Sequence, residues 1–385
     1  MSVTSPQGFR AAGVAAGLKS SGGLDVALVV NDGPRAAAAG VFTVNRVKAA
    51  PVLWSQQALR GGELRAVVLN SGGANACTGP AGFQDTHATA ERVAAVLGGE
   101  IGAGQVAVCS TGLIGERLPM GRLLPGVDRA AAELRGDGGA DAAQAIMTTD
   151  TRPKTVTVAG DGFTVGGMAK GAGMLAPGLA TMLVVLTTDA EMPAPVLDEV
   201  LRDACRMTFD RLDSDGCMST NDTVVLLASG STGVAPPLDE FTAVVTQACA
   251  DLAAQLLGDA EGSTKDIAIT VTGAASEVDA VEVGRSIARS NLVKCAFFGN
   301  DANWGRILAA VGTTAADFEP DEIDVSINGV QICRRGAAGD DRAGVDLSGR
   351  LVQVLVDLHA GNDVATIWTN DLSPGYVHEN SAYST

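Results

Sequence analysis

Aromatic residues are scarce in this chain, at 4% of 385 positions. A core of the size that such a length allows must then be filled by Ala, Val and Leu, which supply much of the 46% hydrophobic content. Histidine is scarcer still. His87, His359 and His378 are the full set of three, so a catalytic scheme built on clustered imidazoles is short of material. Positive charge is also in deficit, with 27 Lys and Arg against 44 Asp and Glu and a net charge of −17. A groove for nucleic acid needs clustered cations to neutralise phosphates, and an anionic membrane surface asks for the same; neither is an expected partner. No run approaches the ~20 apolar residues of a membrane span, and Met1–Gly8 lacks the basic and apolar regions of a signal peptide. The seven cysteines are odd in number and have no CxxC or zinc-finger spacing. They read as small buried hydrophobes of a reducing compartment, and a cytoplasmic location is expected.

Glycine is abundant: 48 residues, well above the usual share of about 7%. Short apolar runs alternate with helical stretches. Arg65–Asn70, Val106–Cys109, Met182–Thr187, Asp222–Ser229 and Ile267–Thr272 read as strands. Lys154–Val158 and Phe163–Gly167 read as a hairpin around Gly160-Asp-Gly162. Asp85–Leu97 and Ala130–Met147 are Ala-rich and helical in character, the second broken at Gly136–Gly139. Leu197, Val200, Leu201, Ala204 and Cys205 fall on one helix face, as do Phe241, Val245, Ala248, Leu252 and Leu256. The end of the chain (Ile323–Ile327, Val330–Cys333, Leu351–Leu358, Val364–Thr369) reads as a β-meander. The expected class is α/β, with helices covering sheets.

The glycine excess peaks between Gly166 and Ala180, nearly free of charge and running straight into the strand at Thr181. Gly171-Ala-Gly173-Met-Leu-Ala176 imitates a dinucleotide fingerprint, but Pro177 and Gly178 would break the helix that such a fingerprint must open. No Walker A loop is present. The alternative is a loop that places a hydroxyl, that of Thr181, at the head of a strand; taken alone, Thr181 is equally an ordinary strand residue.

The whole string Lys170-Gly-x-Gly-Met-x-x-Pro-x-x-Ala-Thr-Met-Leu183 resembles the self-cleavage site of the ornithine acetyltransferase family, the glutamate N-acetyltransferases (ArgJ family) of arginine biosynthesis. The resemblance covers nearly the whole chain. Gly8–Lys19, Asn70–Cys77, Ser110–Gly115, Ile146–Asp150, Ser219–Thr223, Asp259–Lys265, Asn303–Arg306 and Glu379–Tyr383 are similar to family motifs in order and spacing. It implies a layered αββα sandwich of the self-processing N-terminal-nucleophile type, with a second, smaller α/β domain. It implies a cut between Ala180 and Thr181 into chains 1–180 and 181–385 that share one fold, with two copies of each in the assembly. Thr181 is then the nucleophile, and its new α-amine, with an unperturbed pKa of about 7.7–8.0, replaces the missing imidazole as base. Thr111 and Gly112 carry over as the oxyanion hole, although the residues of Ser110-Thr-Gly112 alone read as a turn. Thr148, Lys170, Thr181, Glu261, Asn380 and Thr385 carry over as substrate residues.

The implied reaction is ping-pong: N-acetylornithine acylates Thr181, ornithine leaves, and glutamate takes the acetyl group. It needs no metal and no bound cofactor; use of acetyl-CoA as a second acetyl donor stays open. So do two other readings, a self-processing amidase or aminopeptidase of similar fold and a non-catalytic binding protein that keeps one intact chain. Lys170 and Glu261, suited to a carboxylate and an ammonium, favour the transferase. Asn303, Trp304 and Arg306 are equally structural and stay outside the expected site.

Overall fold

The computed structural model describes residues 2–174 and 182–382, so Ala180, Thr181 and Thr385 lie outside the described residues. The first part of the chain supplies β1 (Phe9–Val14), β2 (Val26–Asn31), β3 (Ala37–Phe42), α1 (Ala50–Ala58), β4 (Ala66–Ser71) and α2 (Gly79–Leu97). It continues with β5 (Val106–Thr111), α3 (Met120–Ala132), α4 (Gly139–Ala145), β6 (Lys154–Ala159) and β7 (Thr164–Lys170). Then come β8 (Leu183–Thr188), α5 (Ala194–Met207), β9 (Thr223–Ala228) and α6 (Leu238–Leu257).

These strands form two mixed sheets, in the orders β1-β2-β4-β5 and β3-β9-β8-β7-β6. Two apolar faces meet between them: Ala11, Val29, Val67, Leu69 and Cys109 pack on Met168, Leu183, Val185, Val225 and Leu227. The outer face of the first sheet (Val26, Leu28, Val68, Val108) takes helices α1–α3 through Trp54, Val93, Leu123 and Val127. The outer face of the second (Val184, Leu186, Val224, Leu226) takes α5 and α6 through Leu197, Leu201, Phe241 and Leu252. The layers therefore run helices, sheet, sheet, helices. Strands covered on both faces need apolar residues at every position, which is why β2, β4, β8 and β9 read as continuous runs.

The remaining chain is β10 (Asp266–Ala274), α7 (Glu277–Arg289), α8 (Asn291–Phe298), α9 (Trp304–Val311), β11 (Asp324–Ile327), β12 (Val330–Arg334), β13 (Ala337–Ala338), β14 (Leu351–Asp357), β15 (Asp363–Asn370) and α10 (Pro374–Ala382). Its sheet, β13-β12-β11-β14-β10-β15, is also mixed. It has a core of its own, in which Ile269, Val354 and Ile367 pack on Val283, Ile287 and Val311 of α7 and α9. On the opposite face Trp368 of β15 packs against the core under α5 and α6, whereas β14 alternates between buried and exposed, with Leu351 and Leu355 exposed.

The end of the chain is not the meander that its alternation suggests. β14 and β15 are not neighbours in a meander: β10 lies between them, parallel to β14 and antiparallel to β15. Strand periodicity carries no information about such an insertion, because a long-range partner leaves the same alternation as a local one. Helix α3 also begins at Met120, ten residues before the Ala-rich stretch, and contains Pro125. An internal proline costs about 3 kcal/mol. The buried stripe Leu123, Val127, Ala130 offsets it, at roughly 1.5–3 kcal/mol for each fully buried Leu or Val.

Candidate active site

The ends of three strands converge. At the end of β5, Thr111 is buried and its carbonyl accepts the N–H groups of both Gly72 and Gly73, at 3.0 and 2.9 Å. Gly112 follows with φ +130°, a region that L side chains rarely adopt, and a Cβ there would lie 2.5 Å from Gly73 N. Glycine is thus required at 112. Among the described residues nothing accepts the Gly112 N–H.

Lys170 ends β7, with 1% of its surface exposed. Its Nζ donates to Thr111 Oγ1 at 3.1 Å. A hydroxyl that accepts from an ammonium keeps its own O–H free to donate. Thr111 O–H and Gly112 N–H are therefore two donors at one strand end, the arrangement that a developing oxyanion requires. Burial pushes the Lys170 ammonium below the ordinary lysine range; Asp150 opposes this, Lys154 adds to it, and Asp222 and Glu261 oppose it more weakly.

One cleft of about 70 Å³ is lined by Thr111, Gly112, Ile114, Thr148, Thr149, Lys170, Gly173, Met174, Glu261 and Asn380. All six expected site residues within the described chain (Thr111, Gly112, Thr148, Lys170, Glu261, Asn380) line it, although they span 270 positions of sequence. Glu261 is brought in by its N–H, which donates to Ala172 O at 2.9 Å. Its carboxylate lies against Gly173, where a Cβ would come within 2.7 Å of Oε2. Asn380, on α10, donates to the same Oε2 at 2.9 Å.

Several charged groups around this cleft escaped the sequence reading. Asp222, one residue before β9, is fully buried, and its Oδ1 accepts the Met182 N–H at 3.2 Å. Burial pushes its carboxyl well above the usual range, against that hydrogen bond and the charge of Lys170. Asp150 accepts from Lys154 Nζ at 2.6 Å, Gly171 N at 2.7 Å and Thr148 N at 3.0 Å. Asp259 takes the other side of Lys154 at 2.6 Å. Asp215 accepts the Met174 N–H at 2.7 Å. A sequence signal existed for three of these: Asp150 closes the motif Ile146–Asp150, Asp222 lies within Ser219–Thr223, and Asp259 opens Asp259–Lys265. Nothing in sequence pairs them with Lys154 or Met182.

With this geometry in place, the comparison with known proteins decides the family, whose match spans residues 10–385. The chain belongs to the ArgJ family. It is 66% identical over 385 residues to the arginine biosynthesis bifunctional protein ArgJ of Streptomyces avermitilis, covering all of both chains. It is 60% identical over 389 residues to that of Mycolicibacterium paratuberculosis, covering 100% of this chain and 96% of the relative. Ornithine acetyltransferase from Mycobacterium tuberculosis, crystallised with ornithine, matches at 66% identity and a TM-score of 0.45 over 47% of this chain and 96% of that one.

Other family-like motifs in this ArgJ-family chain have structural roles. Asn303 caps α9 by accepting the Arg306 N–H at 3.2 Å, and Arg306 Nη1 donates to Leu292 O at 2.7 Å. Of the cysteines, Cys109, Cys205, Cys249 and Cys333 are buried as expected, whereas Cys77, Cys217 and Cys295 are exposed. Among the described residues no helix is long and apolar enough to cross a membrane.

Proposed function

We propose that this chain transfers an acetyl group from N2-acetylornithine to glutamate through an ester of Thr181, after cutting itself between Ala180 and Thr181. The observation that carries the reading is the single cleft that gathers Thr111, Gly112, Thr148, Lys170, Glu261 and Asn380. Met182, the residue bonded to Thr181, is fixed to Asp222 at the head of β8. The family and the activity carried in the names of its relatives support the same chemistry.

The steps follow from the groups. The Thr181 hydroxyl attacks the Ala180 carbonyl carbon, the peptide nitrogen leaves as an amine, and water hydrolyses the ester. This yields residues 1–180 and 181–385, the second with a free α-amine. That amine, with an unperturbed pKa of about 7.7–8.0, takes the hydroxyl proton during acyl transfer. Thr111 O–H and Gly112 N–H hold the oxyanion of the tetrahedral intermediate. Lys170 pairs with the substrate α-carboxylate and Glu261 with the ornithine ammonium. Thr148, Asn380 and Thr385 complete the substrate contacts.

The helix, sheet, sheet, helix order suits a self-processing enzyme of the N-terminal-nucleophile type, with the two chains interleaved, a smaller α/β domain at the end and two copies of each chain in a cytoplasmic assembly. The protein mixed with N-acetylornithine and glutamate should yield ornithine and N-acetylglutamate in equal amounts. Acetate without N-acetylglutamate would instead make it an amidase. The word bifunctional in the relatives' names supports a second activity with acetyl-CoA and glutamate, tested by N-acetylglutamate formation from that pair.

A further inference from the structure

Lys170 does not stand alone in the interior. With Lys154, Asp150 and Asp259 it forms a group of four charged side chains, two of each sign, each residue at most 8% exposed. The two carboxylates are shared unequally. Lys154 Nζ is gripped at 2.6 Å by Asp150 and by Asp259. Asp259 further holds Thr151 through its N–H, at 3.0 Å, and its hydroxyl. Lys170 donates only to the Thr111 hydroxyl among the described residues. An ammonium has three N–H groups, so Lys170 keeps donors for a ligand while its charge is balanced at a distance. Asp150 is the group that does both jobs. Its Oδ1 accepts Gly171 N–H, the residue after Lys170, and its Oδ2 accepts Thr148 N–H.

We propose that Asp150 is a positioning residue for acyl transfer, whose carboxylate fixes the Thr148 and Gly171 backbone and keeps Lys170 a cation able to take a substrate carboxylate. This inference rests on the reading of Lys170 as the carboxylate-binding group. The charges facing Lys170 are Asp150, Asp222 and Glu261 on the favourable side and Lys154 and Lys19 on the unfavourable side. Burial acts against the ammonium first, and Asp150 is the strongest of the groups opposing it. An ion close to a buried partner moves its pKa by about 1–3 units, so loss of Asp150 turns Lys170 neutral at a lower pH. Lys154 acts in the opposite sense.

The test is the alkaline limb of kcat/KM for N-acetylornithine, measured against pH in the processed enzyme. In Asp150→Asn the limb moves to lower pH by roughly one unit or more, and above it KM rises much more than kcat falls. In Lys154→Gln the limb moves the other way, which a loss of packing alone would not produce. If Asp150→Asn fails to fold, Asp150→Glu retains the charge and keeps the limb near its wild-type position, so the unmoved limb of Asp150→Glu beside the upward shift in Lys154→Gln carries the test, and a limb lowered in Asp150→Glu or unmoved in Lys154→Gln overturns the proposal. Limbs unmoved in every folded variant, or moving in the same direction for Asp150→Asn and Lys154→Gln, overturn the proposal. Lys170→Met tests the underlying reading separately: unchanged KM there removes Lys170 from carboxylate binding whatever the other variants do.

Discussion

Two clusters of charge in this chain are built on opposite plans. In the groove between α5 and α7, Arg206 and Arg211 both pair with Glu277, and Arg289 pairs with Asp213 at 2.8 Å. This groove is the roomier cavity, about 550 Å³, and the arginines 206 and 289 are about half-exposed. Around the cleft the space is about 70 Å³, yet Lys170 is buried and, among the described residues, no carboxylate is in hydrogen-bond contact with it. The Arg206–Glu277 pair is partly solvated, and such a pair costs little and contributes little; Asp213 in the same groove is buried, but Arg289 donates to it directly. A buried cation whose compensating charges sit one step away holds its donors ready for something else, and such perturbed groups mark functional sites. Cavity size alone would have pointed to the wrong cluster.

The largest effect should come from Thr181→Ala. It leaves a single polypeptide on a denaturing gel and lowers transfer by about 10⁴–10⁶-fold, the scale of losing an acyl-transfer nucleophile. Cleavage or substantial turnover in that variant would break the contrast at its active end. Thr111→Val removes one oxyanion donor and the partner of Lys170 Nζ. Steady-state kinetics should show kcat reduced by roughly 10²–10³-fold.

The arginine groove should answer to pH rather than to substrate. Burial raises the Asp213 carboxyl to about 6, against the pull of Arg289. A folded-state pKa above the unfolded one means stability that is complete below the unfolded pKa, near 3.8, and lost as pH rises through about 6. Over that window the wild type should lose up to about 3 kcal/mol from this group. Denaturant unfolding of Asp213→Asn between pH 4 and 6 should lack that slope. Glu277→Gln should cost under about 1 kcal/mol in the same assay and leave acetyl transfer unchanged; a large loss of activity would erase the distinction between the clusters.

The apolar body was legible in the sequence because each buried strand and amphipathic helix writes its pattern locally. β4, β8 and β9 read as runs, and α5 and α6 read as stripes. What escaped was non-local: β10 slotted between β14 and β15, and α3 extended through Pro125 under tertiary packing. The expected site residues came from motif resemblance, since nothing in spacing joins Thr111 to Lys170 or Glu261 to Asn380. The pairing of their supporting charges Asp150, Lys154 and Asp259 was not legible, although Asp150 and Asp259 lie in family-like motifs, because a buried ion pair is indistinguishable in sequence from surface charge.

The central claim is acetyl transfer through Thr181 at a new chain end. Mass spectrometry of the protein mixed with isotopically labelled N-acetylornithine tests it most directly. The account predicts a chain beginning at Thr181 that carries the labelled acetyl group on that residue and loses it to glutamate. An uncut polypeptide, or label held on any other residue, would contradict it.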